Sequence, residues 1–316
     1  MNTRFLEMFK IAAAVTLLHL GVTGAMAADK AKEIDWAALN PDIRGATFVK
    51  SSTECLECHE EYMRTYALTK MGRSLPSGGC ESCHGPMSKH LDAPRQKPAL
   101  VVSQKNLTPE QGNAICTACH QSGIQLNWQM SSHAASGNTC TNCHNIMSME
   151  DPVLTKTTQI EVCFTCHKDK RAQMNRRSRH PIKEGKVVCS DCHNPHGSAG
   201  PSQLVKHSVT ETCYQCHAEK RGPFVVEHQP AREDCTICHN PHGSVVTRML
   251  KVKEPWLCQQ CHSEGYHPSY LYSGSGIVDP DAIGVVPAQQ ILGRSCTNCH
   301  VQVHGSNHPS GQRLTR

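Results

Sequence analysis

Large apolar side chains are scarce in this sequence. Only 4% of its 316 residues are aromatic, and just 5 are Phe. A chain of this length would normally fold around one large core or two ordinary ones. It has too little apolar bulk to build them, so something other than side chains must fill the interior. Long apolar runs are lacking too. After residue 27 nothing exceeds stretches such as "ALVV" at 99–102, which excludes a membrane-spanning helix. No series of alternating strands recurs, which excludes a transmembrane barrel. There is no aromatic-rich basic patch, and nucleic acid is set aside as a partner.

The one long apolar run lies at the start. Arg4 and Lys10 flank "IAAAVTLLHLGV", and "AMA" follows at 25–27. That order of basic, apolar and small residues reads as an export signal over 1–27, removed to leave a mature chain starting at Ala28 outside the cytoplasm. Residues 28–50 read as a flexible lead-in.

What the chain does have is cysteine, 20 of them. Exported cysteines usually form disulfides, yet here every one falls in a C-x-x-C-H unit. The pairs are Cys55/Cys58, Cys80/Cys83, Cys116/Cys119, Cys140/Cys143, Cys163/Cys166, Cys189/Cys192, Cys213/Cys216, Cys235/Cys238, Cys258/Cys261 and Cys296/Cys299. A disulfide framework has no need of the histidine, and zinc sites seldom place one after both pairs. The spacing is that of covalent c-type haem attachment. Two thiols three residues apart on one turn both add to the vinyl groups, and the next histidine reaches the iron from the same face. Ten covalent haems would then be the core, with the polypeptide as wrapping.

The histidines tally with this. Ten are proximal: His59, His84, His120, His144, His167, His193, His217, His239, His262 and His300. His19 leaves with the signal. Ten remain for the second faces: His90, His133, His180, His196, His207, His228, His242, His267, His304 and His308. In "CHNPHG" His196 follows His193 by three residues, a span of at most ~10–11 Å. It cannot round its own porphyrin, so it should ligate a neighbouring haem, and His242 likewise.

The motifs come in pairs, and the pair repeats five times, starting at Cys55, Cys116, Cys163, Cys213 and Cys258. The expected fold is a multihaem cytochrome c, haem-cored and loop-rich with short α-helices and almost no sheet. Residues 51–316 should form a single elongated decahaem domain of five two-haem repeats. The formal charge of +5 misleads. With the signal gone, twenty propionates and ten ferric cores bring the holoprotein to about −6.

With "CSDCHNPHGS", "CYQCHAEKRGP" at 213–223, "LCQQCH" at 257–262 and "HGSNHPSG" at 304–311, the chain resembles the outer-membrane decahaem conduit cytochromes of the Mtr/Mto/Pio type, also grouped with DmsE-like cytochromes. The resemblance runs from about residue 50 through all ten motifs. It implies an electron-transfer protein rather than an enzyme: a periplasmic haem wire threaded through a porin-like outer-membrane β-barrel. Its implied partners are that barrel, a periplasmic electron carrier or inner-membrane quinone-linked cytochrome, and an extracellular multihaem cytochrome or Fe(II)/Fe(III) outside. Independently, ten haems in file exceed a ~30 Å hydrocarbon core, and exposed loops cross it only inside a protein sheath. The rival readings are a soluble periplasmic multihaem carrier and a multihaem reductase. The latter needs an iron with an open face or a variant motif, and neither is found.

Two methionines break the pattern. Met71 stands twelve residues after His59, near the spacing at which His133 and His180 follow their motifs. "CHNIM" puts Met147 where His196 and His242 stand later. Either these are packing residues and His207 and His308 complete ten bis-His irons, or one or both bind iron and His207 and His308 are spare. A thioether ligand raises the potential, which favours Fe(II) oxidation, with inward flow, over outward metal reduction.

Overall fold

The computed structural model describes residues 30–31, 33–49, 53–75, 79–96, 100–262 and 295–315. The expected signal and His267 lie outside the described residues. The chain is loops joined by short helices. The longest helix among the described residues, Thr53–Ala67, is broken in the middle by a non-helical His59 (φ −119°, ψ 35°). Pro109–Thr117 is next in length. It starts on a capping box in which Thr108 and Gln111 satisfy each other's backbone N–H groups, with Pro109 in the first turn. No strand occurs among the described residues. Pairing is limited to isolated antiparallel bridges such as His193 with Leu204 and His239 with Leu250.

The helical pieces fall on the cysteine motifs, for a local reason. In nine motifs the histidine N–H donates to the first cysteine's carbonyl at 2.9–3.0 Å, as with His84 to Cys80 and His217 to Cys213. Each motif is therefore one helical turn. On such a turn residues i, i+3 and i+4 share a face, so both thiols and the imidazole point the same way.

The chain divides into two compact units. The first runs to Val162 and also takes in Pro195–Gly197; the second holds Cys163–Asn194 and Ser198 onward. The first contains a small apolar core of Ala31, Trp36, Ile43, Leu100, Val102 and Ile115. Residues 33–49 are thus packed, not a lead-in running free of the fold. Trp36 donates its indole N–H to the Ala31 carbonyl at 2.7 Å. Asp35 and Asn40 cap the two short helical turns Trp36–Leu39 and Pro41–Ile43. The buried Glu81 carboxylate accepts from the backbone N–H of Val49 (3.1 Å) and of Met87 (2.9 Å), tying this segment to the second motif.

Candidate metal centres

The turn geometry sets the sulfurs in order. The first cysteines of the two motifs in each repeat are hydrogen-bond partners: Cys55 with Cys80, Cys116 with Cys140, Cys163 with Cys189, Cys213 with Cys235, Cys258 with Cys296. The second cysteines make the link to the following repeat, Cys83 interacting with Cys119, Cys192 with Cys216 and Cys238 with Cys261. Within each unit the attachment points therefore follow motif order, through first cysteines and second cysteines alternately. Once both sulfurs are thioethers there is no proton to share, and what remains is their proximity.

The two cysteines of a motif differ in their cover by protein. No first cysteine is exposed. Seven of the second cysteines are exposed instead of buried: Cys58, Cys119, Cys143, Cys166, Cys216, Cys261 and Cys299. In the first motif of every repeat the histidine is exposed beside them, as His59, His120, His167, His217 and His262. The covalent haem that each pair carries is the surface that covers these positions. Covalent attachment accounts for thiols in such open places, whereas structural free cysteines are among the most buried residues.

Six proximal histidines face a second histidine across a gap. The ring centres of His59 and His90 are 6.3 Å apart, of His144 and His196 6.0 Å, and of His193 and His242 6.1 Å. His180 and His217 are 6.4 Å apart, His228 and His262 6.1 Å, and His239 and His304 6.2 Å. A metal–imidazole bond is ~2.0–2.1 Å and the ring centre lies ~1.1 Å beyond the nitrogen, so two imidazoles on one metal have centres ~6.3 Å apart. The residues present fit six-coordinate haem iron.

The tautomers agree. The Nδ1 atoms of His84, His193 and His239 lie 2.8, 3.0 and 2.8 Å from the carbonyls of Val102, Ser202 and Arg248. His300 Nδ1 meets the Arg313 carbonyl. A carbonyl only accepts, so Nδ1 carries the proton and Nε2 keeps its lone pair for the metal. Ser202, Arg248 and their successors Gln203 and Met249 take positive φ of 51–59°. That conformation costs roughly 1–2 kcal/mol per residue and aims each carbonyl at its imidazole. Such strain collects at functional sites. These second partners were not found in the sequence, because no glycine marks the left-handed turns.

The other face has its own linkage. His133, His180 and His228 donate through Nδ1 to the carbonyls of Pro195, Pro241 and Val303, at 2.9, 2.9 and 2.8 Å. Each acceptor immediately precedes the next facing histidine, His196, His242 or His304. After each of those stands a glycine with positive φ, and the backbone there is crowded. A Cβ on Gly243 (φ 130°) would lie 2.4 Å from the Gln173 carbonyl oxygen. Burial, then nearby Lys170 and His193, pushes His242 down to about 4. Burial likewise lowers His90, His196 and His304. Neutral imidazole is the ligand form.

His308 differs. It is exposed, and its Nδ1 accepts from the Ser310 N–H at 3.1 Å. Its proton therefore sits on Nε2, the reverse of the others. His207 is exposed. Met71 is half-buried and Met147 is 39% exposed. Met147 is followed by Ser148 and not by glycine.

Comparison with known proteins places this arrangement. A family model described as "Doubled CXXCH motif" matches residues 133–172, 180–222 and 228–266, and one described as "Cytochrome c554 and c-prime" matches 23–85. The chain is 45% identical over 280 residues to "Multiheme cytochrome MtrA" of Shewanella baltica (strain OS185), covering 84% of this chain and 82% of that protein. The chain belongs to the MtrA family of multihaem cytochromes. It is a multihaem cytochrome c by fold, and its cysteine pairs carry covalent c-type haems, about ten. When bound, each supplies a one-electron Fe(III)/Fe(II) couple whose potential the axial ligands and their partners set. The chain is an electron-transfer protein rather than an enzyme.

Proposed function

We propose that this cytochrome carries electrons across the outer membrane inside a porin-like β-barrel partner. On the periplasmic side it would meet a soluble carrier or a quinone-linked cytochrome of the inner membrane. Outside, its partner would be a multihaem cytochrome or iron itself. The observation that carries the reading is the succession of motifs brought together through their sulfurs. In the first unit Cys55 adjoins Cys80, Cys83 adjoins Cys119 and Cys116 adjoins Cys140, the continuity a wire needs. A reductase would instead need an iron with an open face. Among the described residues no helix is long and apolar enough to cross a membrane, so crossing requires a second chain as sheath.

In this reading residues 51–316 act as one file of five two-haem repeats, and two slot rules assign the ligands. A histidine following a first motif serves the next repeat's first motif, as His180 serves His217 and His228 serves His262. A residue three or four positions after a second-motif histidine serves the previous repeat's second motif, as His196, His242 and His304 do. Extended backwards, the rules give His120 the Met71 thioether and His84 the Met147 thioether. His267 is left for His300, while His207 and His308 are spare. Two high-potential irons suit electron entry from Fe(II) better than delivery to metal oxides.

The test is reconstitution. Vesicles enclosing a redox dye should reduce it with external Fe(II) or dithionite only when the barrel and this cytochrome are both present. Failure with a correctly folded barrel would leave a soluble carrier as the better reading.

A further inference from the structure

The five second-motif histidines form an internal comparison, and one of them differs. His84, His193, His239 and His300 give their Nδ1–H to neutral backbone carbonyls. His144 gives its own to a carboxylate, Asp151 Oδ2, at 2.7 Å. The Asp151 side chain is only 13% exposed. Its other oxygen is held by the backbone N–H of Asn145 (3.3 Å) and of Val153 (3.4 Å), the latter at the start of the turn Pro152–Leu154. The sequence explains the substitution. In the repeats at His193 and His239 nine residues lead to the acceptor carbonyl, which a left-handed turn presents. After His144 the loop reaches its acceptor in seven, and Asp151 both caps that turn and takes the imidazole proton.

We propose that Asp151 is a positioning residue that holds the iron of the Cys140/Cys143/His144 motif at a lower potential than the irons of His84, His193, His239 and His300. A carboxylate on Nδ1 makes the imidazole a stronger donor than a carbonyl does. It also puts a negative charge beside the metal in a place only partly open to water. Both effects favour ferric iron over ferrous. On the opposite face His196 is half-buried, and its ring is nearly parallel to that of His144, at 13°. An ordinary imidazole pair therefore brackets this iron, and the carboxylate is the difference.

The inference rests on iron ligation by His144 and not on the barrel, so its outcome is separate from that of the vesicle experiment. The protein to use is the holoprotein with ten haems verified by mass, in an optical potentiometric titration. Asp151→Asn keeps an oxygen to accept the bond and removes the charge, while Asp151→Glu keeps the charge. In Asp151→Asn, one-tenth of the absorbance change should move to higher potential and the rest should stay. Asp151→Glu should titrate close to native. Asp151→Ser provides the same neutral acceptor if the Asn variant loses haem. A neutral variant that titrates as native overturns the proposal. Equal shifts in the Glu and neutral variants also overturn it, since they would show a packing effect and not a charge effect.

Discussion

If the slot rules hold, the methionines are countable. Ten motifs give ten irons, and two slots hold a thioether, so two irons per chain should be His/Met and eight bis-His. In the oxidised holoprotein, near-infrared magnetic circular dichroism separates the two ligand sets through their charge-transfer bands. The Met–Fe(III) band should have the amplitude of two irons, one-quarter as many as the bis-His band reports. Met147→His should halve it and pass one iron to the bis-His band, Met71→His should do the same, and the double variant should abolish it. A thioether favours the ferrous state, so each substitution should also move one-tenth of a potentiometric titration to lower potential. His207→Ala and His308→Ala should leave both bands unchanged, because His308 holds its proton on the nitrogen that would have to bind. A native spectrum with bis-His bands alone would refute the slot assignment. It would return both methionines to packing roles and remove the argument for inward flow.

The first unit offers sharper tests of packing. Glu81→Ala leaves the N–H groups of Val49 and Met87 without their acceptor and should cost about 1–3 kcal/mol for each, read as a lower thermal midpoint at unchanged haem content. Burial pushes the Glu81 carboxyl up, against the two N–H donors that pull it down. Its folded value thus lies above its unfolded one, and its contribution is present at low pH and lost as pH rises through the folded value. Glu81→Gln should flatten that fall in melts run from the ordinary carboxylate range upward. At Gly85 (φ 78°) a Cβ would lie 2.9 Å from the Trp36 ring and 3.3 Å from Ile43. Gly85→Ala should destabilise the first unit by about 2–5 kcal/mol, from left-handed strain and overpacking together, with faster proteolysis there and not in the second unit.

The attachment chemistry was legible in the sequence because it is local. A thiol, a second thiol three residues on and an imidazole beside it must sit on one turn, so the motif alone fixes the helix turn, the cofactor and the proximal ligand. The reach of three residues already keeps His196 away from the far face of the His193 haem, and in the fold the ring of His196 faces that of His144. What orients the ligands was not legible. For His84, His193, His239 and His300 the acceptors are backbone carbonyls nine to eighteen residues away. Those of Ser202 and Arg248 are presented by left-handed residues of ordinary type, which leave no signature. Asp151 did leave one, a carboxylate in a loop two residues short, but it reads as a signal only once the carbonyls of the other repeats are known. The packing of residues 33–49 was marked by Trp36, Ile43 and the caps Asp35 and Asn40, which a flexible lead-in does not need.

The same linkage explains why the two methionines occur together. In three repeats the histidine after a first motif donates its Nδ1–H to the carbonyl just before the histidine that follows the second motif: His133 to Pro195, His180 to Pro241, His228 to Val303. In the slot assignment proposed above, the two form one mechanical element serving two irons, and Met71 and Met147 hold the corresponding two places of a single earlier element. A thioether has no N–H to donate, so once Met71 replaces the donor, nothing of this kind fixes the residue at 147. The Pro and Gly that frame His196 and His242 lose their purpose as well, and they are Ile146 and Ser148 beside Met147. A long, unbranched side chain reaches its target without such framing. Substituting one slot alone would leave a donor without its acceptor geometry, or the reverse. Substituting both removes the linkage whole. His59, by contrast, faces His90 from within its own repeat, with ring centres 6.3 Å apart.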